Sequence, residues 1–321
     1  MDVSGVSFLI RPLRDSTERQ IAFDWARMEG WWPGSHDEQL GAASDPTGWF
    51  CGEVDGRIIS VVCGMSLAPT LGFIGLYICH PDYRRRGFAL PLFHHALRHL
   101  GDSRNMALDA VEAQVGNYAK LGFRPEYKTW RLTGNYTSDE RAKGGYSGGD
   151  SSLIRRLDGG DDAAITALAE FDQRHISGYW RKDFLAALAA LPGASAAVLY
   201  DESDGDGSGG GSSIRGYTAV RPALDKDGTV AACRIGPLMA VDLPAARALL
   251  LWAAASQQEE AGQEMLFAID VIEHNAAFLE FLEVVGFQKQ WGCIRMYTKG
   301  PPEGLNLANI YGVSTWELQA A

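Results

Sequence analysis

The chain carries a weak internal repeat, and no other feature of the sequence restricts its fold as strongly. Four segments of the first half have counterparts that follow in the same order in the second half. The paired segments are residues 7–13 and 152–157, 108–111 and 269–272, 121–123 and 285–287, and 130–132 and 294–296. One such match is weak evidence, but four in a common order predict two tandem copies of one fold.

A glycine-rich stretch lies between the two copies. Residues 144–150 read Gly-Gly-Tyr-Ser-Gly-Gly-Asp, a composition typical of a linker. We therefore place the boundary near residue 148, with an N-terminal domain over residues 1–147 and a C-terminal domain with a terminal extension over residues 148–321. A length of 321 residues suits two domains, each large enough to bury a core without disulfides or a metal.

Apolar residues recur at strand and helix spacings in the same order in each copy. In the first copy the pattern predicts strands over residues 7–11, 49–54, 57–63, 71–79, 106–111 and 128–132, and helices over 17–28, 87–100 and 117–121. In the second it predicts strands over 152–157, 196–200, 214–220, 229–238 and 265–270, and helices over 162–171, 245–259 and 275–285. The fold class is α/β, more strictly α+β, with helices flanking a mixed sheet in each domain.

Charge and cysteine usage narrow the choice of partner and compartment. The formal net charge is -11, which argues against a nucleic-acid partner, because such proteins usually present a basic face. No apolar run reaches the roughly 18 residues that a membrane-spanning helix needs, and the N-terminal residues do not resemble a signal peptide. The five cysteines are odd in number and widely spaced, as in reduced proteins. We expect a cytoplasmic protein without a membrane partner.

The most informative stretch is a loop between a predicted strand and a predicted helix. The strand ends at His80-Pro81, and a run of residues with basic and small side chains follows: Arg84, Arg85, Arg86, Gly87, Phe88 and Ala89. A helix N-terminus offers unpaired N–H donors and the positive end of a dipole, small residues let an anion approach the backbone, and arginines meet phosphate charge. The loop therefore predicts a pyrophosphate site that needs no metal.

Two segments resemble the signatures of the GCN5-related N-acetyltransferase (GNAT) superfamily. Arg84-x-x-Gly87-x-Ala89 fits the family's Gln/Arg-x-x-Gly-x-Gly/Ala loop, which binds the pyrophosphate of coenzyme A. The run from Asn117 to Phe123, Asn-Tyr-Ala-Lys-Leu-Gly-Phe, is similar to the family's Leu-Tyr-x-Lys-x-Gly-Phe segment. The resemblance implies an acetyltransferase that uses acetyl-CoA as cosubstrate and no metal.

The resemblance also implies roles for individual residues. Tyr118 would protonate the leaving thiolate, and the backbone of Tyr77, Ile78 and Cys79 would pair with the pantetheine arm, with the amide near Ile78 polarising the acetyl carbonyl. The family often has an asparagine seven residues before this tyrosine. Val111 stands there instead, and Asn117 is a candidate substitute.

Two further segments resemble a two-domain branch of the superfamily, the YitH-like acetyltransferases. Residues 29–37 read Glu-Gly-Trp-Trp-Pro-Gly-Ser-His-Asp, and residues 310–313 read Ile-Tyr-Gly-Val, both similar to segments of that branch. The second copy lacks the arginine–glycine loop, carries Asp242 at the start of its helix and has Leu282 at the tyrosine position. We interpret it as a degenerate domain that closes the acceptor cleft. A second coenzyme A site and a purely structural role are the alternatives.

An amine must be neutral to attack a thioester, so a base is expected near the acceptor. Glu29, His36, Asp37 and Asp109 are the candidates for this base, of which Glu29 and Asp109 are preferred. Trp31, His36 and Asp37 are candidates for binding the acceptor. The hypothesis is transfer of an acetyl group to a primary amine by direct attack in a ternary complex. A small-molecule acceptor is favoured over a protein. The alternative is a regulatory or interaction protein that binds coenzyme A without turnover.

Overall fold

The computed structural model describes residues 2–3, 6–135, 153–201, 213–261 and 265–315. The strands are β1 (Asp2–Val3), β2 (Val6–Pro12), β3 (Trp49–Val54), β4 (Arg57–Ala68), β5 (Leu71–Cys79), β6 (Asn105–Val111), β7 (Arg124–Asn135), β8 (Ile154–Arg156), β9 (Ser195–Tyr200), β10 (Ile214–Leu224), β11 (Val230–Ala240), β12 (Leu266–Ile272), β13 (Gln288–Tyr297) and β14 (Ile310–Gly312). The helices are α1 (Ser16–Met28), α2 (Asp37–Ser44), α3 (Ala89–Leu100), α4 (Val115–Ala119), α5 (Asp162–Asp172), α6 (Lys182–Ala189), α7 (Leu243–Ala261) and α8 (Ala276–Val284).

All strands of the described residues belong to one continuous mixed sheet with flanking helices, so the predicted α/β fold class is confirmed. The strand order is β1-β2-β3-β4-β5-β6-β13-β7-β12-β11-β10-β9-β8, with β14 paired to β11. Neighbours are antiparallel except in two pairs, β5 with β6 and β11 with β12. Within the described residues, no helix is both long and apolar enough to cross a membrane.

The two halves exchange their last long strands. β13 of the second half pairs with β6 of the first, with Ile294 opposite Ala110. β7 of the first half pairs with β12 of the second, with Leu132 opposite Ile269. The sequence repeat locates both strands, but each half is completed by the strand of the other. The boundary near residue 148 lies outside the described residues and stays a prediction.

Helix α3 packs its apolar stripe against the sheet and begins later than the sequence pattern predicts. Leu92, Phe93, Ala96 and Leu100 recur at helical spacing and are fully buried. The pattern predicts a start at residue 87, but Gly87 has a φ of +85°. This left-handed conformation cannot belong to a right-handed helix, so the helix begins after it.

The parallel strands β5 and β6 separate partway along their length. Their pairing runs from Leu71 opposite Asn105 to Ile74 opposite Leu108. Beyond that point β5 carries an irregularity in its pairing with β4, at Leu76, whose φ is +48°. A bulge of this kind bends a strand and turns it from its neighbour. The result is a gap between the C-terminal ends of β5 and β6.

Candidate active site

Two connected cavities fill the gap between β5 and β6. An outer cleft lies towards α3, and an inner pocket lies towards β13. Four residues line both: Trp31, Tyr77, Val111 and Tyr118. The two cavities therefore adjoin at Tyr118.

The predicted pyrophosphate loop forms one end of the outer cleft. Ile78, Cys79, Arg84 and Ala89 line this end, and Arg84 Nε donates a 2.8 Å hydrogen bond to the Cys79 carbonyl oxygen. Helix α3 begins at Ala89, with no side-chain hydrogen bond capping it within the described chain. The first N–H groups of the helix therefore stay available for an anion.

The other residues of the loop differ in exposure to solvent. Arg85 and Arg86 are exposed, Arg85 has a φ of +62°, and the Arg86 guanidinium lies 5.4 Å from the centre of the Tyr83 ring. Phe88 is buried and its ring centre lies 5.2 Å from that of Phe8. The arginines face solvent, where a phosphate could approach them, whereas the Phe88 side chain holds the loop to the sheet.

Glu29 lies at the end of the outer cleft that holds Arg84. It follows the last turn of α1 and lines the outer cleft, and its Oε1 accepts a hydrogen bond from Arg84 Nη2. The predicted base and a predicted phosphate ligand are therefore paired in the free protein.

Tyr118 is held at the junction of the two cavities by aromatic packing. Its ring centre lies 5.6 Å from that of Phe93 and 6.3 Å from that of Phe123. Burial raises the pKa of Tyr118 to about 12, with a smaller contribution from Cys293. The phenol therefore keeps its proton at neutral pH and can donate it. Asn117, next to it, is exposed, and its Nδ2 donates to Gln114 Oε1 at 2.8 Å.

The second half supplies one wall of the inner pocket. Trp291 and Cys293 of β13 line it opposite Trp31, together with Asp109 of β6. Arg295 donates from Nε and Nη2 to the two carboxylate oxygens of Asp109, each at 2.8 Å. Sequence reasoning missed Trp291, Cys293 and Arg295. The matched segments 130–132 and 294–296 indicate a strand there but not which sheet edge it joins.

Asp37 and His36 are placed outside both cavities. Asp37 is fully buried, and its carboxylate accepts hydrogen bonds from Arg221 Nε at 2.7 Å and Nη2 at 3.0 Å. His36 has a φ of +66° and a side chain that is 45% exposed. Of the three acceptor-binding candidates, Trp31 alone is among the described residues that line the cavities. Asp37 instead joins the α1–α2 loop to the second half.

The corresponding gap in the second half is filled by the chain itself. Pairing of β11 with β12 ends at Ile235 opposite Ile269, and β14 pairs with β11 beyond that point. The Val313 amide continues this filling with a 2.9 Å hydrogen bond to the Asp270 carbonyl oxygen. Among the described residues no group of three or more His, Cys, Asp and Glu side chains could hold a metal ion.

Two family models match consecutive parts of the chain. The model described as the acetyltransferase (GNAT) family matches residues 15–123, and the model described as an acetyltransferase (GNAT) domain matches residues 169–312. Holothin acyltransferase from Pseudoalteromonas sp. (strain SANK 73390) is 27% identical over 292 residues, which are 89% of this chain and 87% of that protein.

Solved structures share the fold of the whole chain. A candidate acetyltransferase from Pyrococcus horikoshii has a TM-score of 0.71 at 19% identity, covering 97% of this chain and 96% of that one. A tandem GNAT protein from the clavulanic acid biosynthesis pathway has a TM-score of 0.61 at 14% identity, covering 92% of this chain and 100% of that one. With its two consecutive GNAT matches and its acyltransferase relative, the chain belongs to the GNAT superfamily as a tandem-domain acyltransferase.

Proposed function

We propose that the protein transfers an acetyl group from acetyl-CoA to a primary amine of a small molecule, by direct attack in a ternary complex. The observation that carries this proposal is the position of Tyr118 between two cavities of different character. The outer cleft ends at an arginine loop and a helix N-terminus, and the inner pocket is walled by tryptophans. The similarity to holothin acyltransferase supports a small-molecule acceptor.

The outer cleft suits coenzyme A because its donors are of the right kind. Within the described chain, the β6-facing side of β5 has no strand partner beyond Ile74. The main-chain groups of residues 77–79 that face away from β4 are therefore available to the amides of a pantetheine arm, apart from the Cys79 carbonyl oxygen, which accepts from Arg84 Nε. Arg84 and the first turn of α3 would take the pyrophosphate. A main-chain amide near Ile78, on the side of β5 that faces away from β4, would stabilise negative charge on the thioester oxygen during attack.

In the transfer step the amine lone pair attacks the thioester carbonyl carbon and the carbon–sulfur bond breaks. The amine loses a proton to a base, and the departing thiolate takes one from Tyr118. Asp109 and Glu29 are the two carboxylates that line the cavities, and each is paired with an arginine, Arg295 and Arg84 respectively. Comparing Asp109→Asn with Glu29→Gln identifies the base, because only its loss would shift the pH profile of the rate.

The inner pocket favours a planar acceptor whose amine is neutral near pH 7. Its walls include Trp31, Trp291 and Leu108, and its carboxylate is that of Asp109, which is held at both oxygens by Arg295. An ammonium ion entering there would lose hydration and meet a carboxylate whose charge is already balanced. An amine bonded directly to an aromatic ring avoids this cost because it is not protonated at pH 7.

The second half would shape the acceptor pocket and bind no cofactor. β14 and the segment after it occupy the gap that corresponds to the outer cleft of the first half. This filling supports a single cofactor site per chain.

Calorimetry with acetyl-CoA, followed by thiol release with aniline and with benzylamine, tests the proposal. We expect one site per chain, lost in Gly87→Glu because the new carboxylate repels the pyrophosphate, and faster thiol release with aniline than with benzylamine. Two sites would contradict the role given to the second half. Binding without thiol release in the presence of either amine would contradict the proposed transfer.

A further inference from the structure

The loop that carries Glu29 and Trp31 rests on the second half of the molecule. This loop, residues 29–37, joins α1 to α2. The Ser35 amide donates to the Pro222 carbonyl oxygen at 2.7 Å, and the Leu224 amide donates to the Pro33 carbonyl oxygen at 3.3 Å. The end of β10 therefore supports the middle of the loop through its main chain.

Two buried arginines reach the loop at the residues nearest the cleft. Arg131 of β7 donates from Nη1 to the carbonyl oxygen of Trp31. Arg234 of β11 donates from Nη1 to the carbonyl oxygen of Trp32 at 3.4 Å. Both arginine side chains are 1% exposed, and the Trp31 and Trp32 residues they contact are partly buried. The Arg131 guanidinium also lies 5.2 Å from the ring centre of Trp291, on the other wall of the inner pocket.

Asp270 fixes both of these arginines. Arg131 donates to its two oxygens from Nε and Nη2 at 2.8 Å each, and Arg234 donates from Nη2 at 2.7 Å. Burial raises the pKa of the Asp270 carboxyl, but the two guanidinium groups outweigh burial and hold the pKa below its ordinary value. The carboxylate is therefore charged at neutral pH and orients both arginines through charged hydrogen bonds.

Among the described residues, the first half contains a similar aspartate–arginine pair, but with one arginine where Asp270 has two. Asp109 matches Asp270 in the internal repeat, and it too binds an arginine of the exchanged strand, Arg295. The pairing registers of β5 with β6 and of β11 with β12 place Phe73 where the second half has Arg234. The second arginine, Arg234, extends the Asp270 cluster to Trp32. It therefore has no arginine counterpart at the matching position of the first half.

We propose that Asp270 is a positioning residue for the acceptor: it orients Arg131 and Arg234, which hold the main chain of Trp31 and Trp32 and so fix one wall of the inner pocket. This inference rests on the proposed function for the meaning of the inner pocket. Arg131 and Arg234 contact the loop of residues 29–37 at Trp31 and Trp32, whereas the contact of that loop with residues 84–89 is made by Glu29. Loss of Asp270 should therefore weaken acceptor binding more than acetyl-CoA binding, because Trp31 and Glu29 also line the outer cleft.

The matched pair of variants Asp270→Asn and Asp172→Asn tests the proposal. Asp172 is equally buried in the second half and pairs with Arg181 Nε at 2.7 Å and Nη2 at 2.8 Å, but it contacts neither Trp31 nor Trp32. The full chain is examined by hydrogen exchange of residues 29–37, by acetyl-CoA calorimetry, and by KM and kcat with aniline. Arg234→Met gives a milder second perturbation, because it leaves the Asp270–Arg131 pair in place.

In Asp270→Asn we expect exchange of residues 29–37 to rise about tenfold, the effect of losing about 1.4 kcal/mol from the loop's contacts. We expect KM for aniline to rise about tenfold, and kcat and the acetyl-CoA affinity to fall by smaller factors. Arg234→Met should show the same pattern in weaker form, and Asp172→Asn should leave residues 29–37 protected.

Unchanged protection of residues 29–37 in both Asp270→Asn and Arg234→Met would overturn the proposal. An equal rise in Asp172→Asn would also overturn it, since a general loss of stability would then explain the effect. If the wild type does not acetylate aniline, the proposed acceptor class fails, while hydrogen exchange still decides whether Asp270 positions the loop.

Discussion

Replacing Tyr118 by phenylalanine removes one hydroxyl and keeps the ring that packs between Phe93 and Phe123. We expect little change in stability, about 1 kcal/mol or less, because the aromatic contacts survive. A positioned general acid contributes about 10²- to 10⁴-fold to a rate, or roughly 3 to 5 kcal/mol of the barrier. We therefore expect kcat to fall by at least about 10²-fold.

The pH dependence follows from the same burial. The pKa of Tyr118 is raised to about 12, so its proton is present throughout the neutral range and is lost only as the pH approaches that value. The wild-type rate should therefore show no loss from this group up to about pH 11, one unit below the pKa. A fall in kcat near pH 8 that is absent in Tyr118→Phe would show that the phenol titrates far below this value.

Thiol release with aniline and acetyl-CoA measures the rate, and calorimetry with acetyl-CoA separates binding from chemistry. Tyr77→Phe is the control, because Tyr77 is the other tyrosine that lines both cavities among the described residues. Its ring centre lies 5.0 Å from that of Phe93, and burial also raises its pKa. The reasoning is refuted if Tyr118→Phe keeps more than about a tenth of the wild-type kcat, or if Tyr77→Phe loses as much.

Three further predictions follow from burial and packing. In Gly236→Ala the new Cβ would overlap the Val313 carbonyl oxygen, so we expect a loss of about 1–3 kcal/mol in urea unfolding and faster hydrogen exchange in β14; unchanged exchange there would show that the segment yields without cost. Trp291→Ala should raise KM for aniline several-fold and leave acetyl-CoA affinity unchanged in calorimetry, and an equal loss of both would mean that β13 supports the whole cleft. Burial raises the pKa of Tyr118 to about 12 and that of Cys51 to about 11. Their contribution to folding stability is therefore complete below their ordinary pKa values of 10.0 and 9.0, and is lost as the pH rises towards 12. The urea midpoint should be lower at pH 11 than at pH 8, and equal midpoints would contradict the assigned burial.

Local features of the site could be predicted from the sequence because they depend on neighbours in the chain. The loop of residues 84–89, the strand before it and the helix after it form one short segment, and their positions require no knowledge of the rest of the fold. Tyr118 and Gly122 are likewise close in sequence, and Gly122 has the left-handed φ, +92°, that ends such a turn. The roles that the family resemblance gives to Tyr118 and to the loop remain predictions.

Long-range pairing could not be predicted in the same way. Strands β7 and β13 match each other in sequence, so either would suit the edge of β6 by its pattern of apolar residues. The choice depends on side chains distant in sequence, such as the pairing of Asp109 with Arg295, which lie 186 positions apart. The burial of Asp37 against Arg221, at 184 positions, is missed for the same reason. The sequence around a carboxylate does not indicate which distant arginine will pair with it.

The exchange of β7 and β13 has a consequence for the synthesis of the chain. Strand β6 leaves the ribosome about 186 residues before Arg295 of its final neighbour. At about 5–20 residues per second this interval lasts roughly 10 to 40 s. Throughout it, β7 is the strand already made that could pair with β6, and β6 otherwise presents a bare sheet edge to other chains. The yield of native protein should therefore depend on translation speed across the second half, and slow codons there would favour aggregation over completion of the sheet.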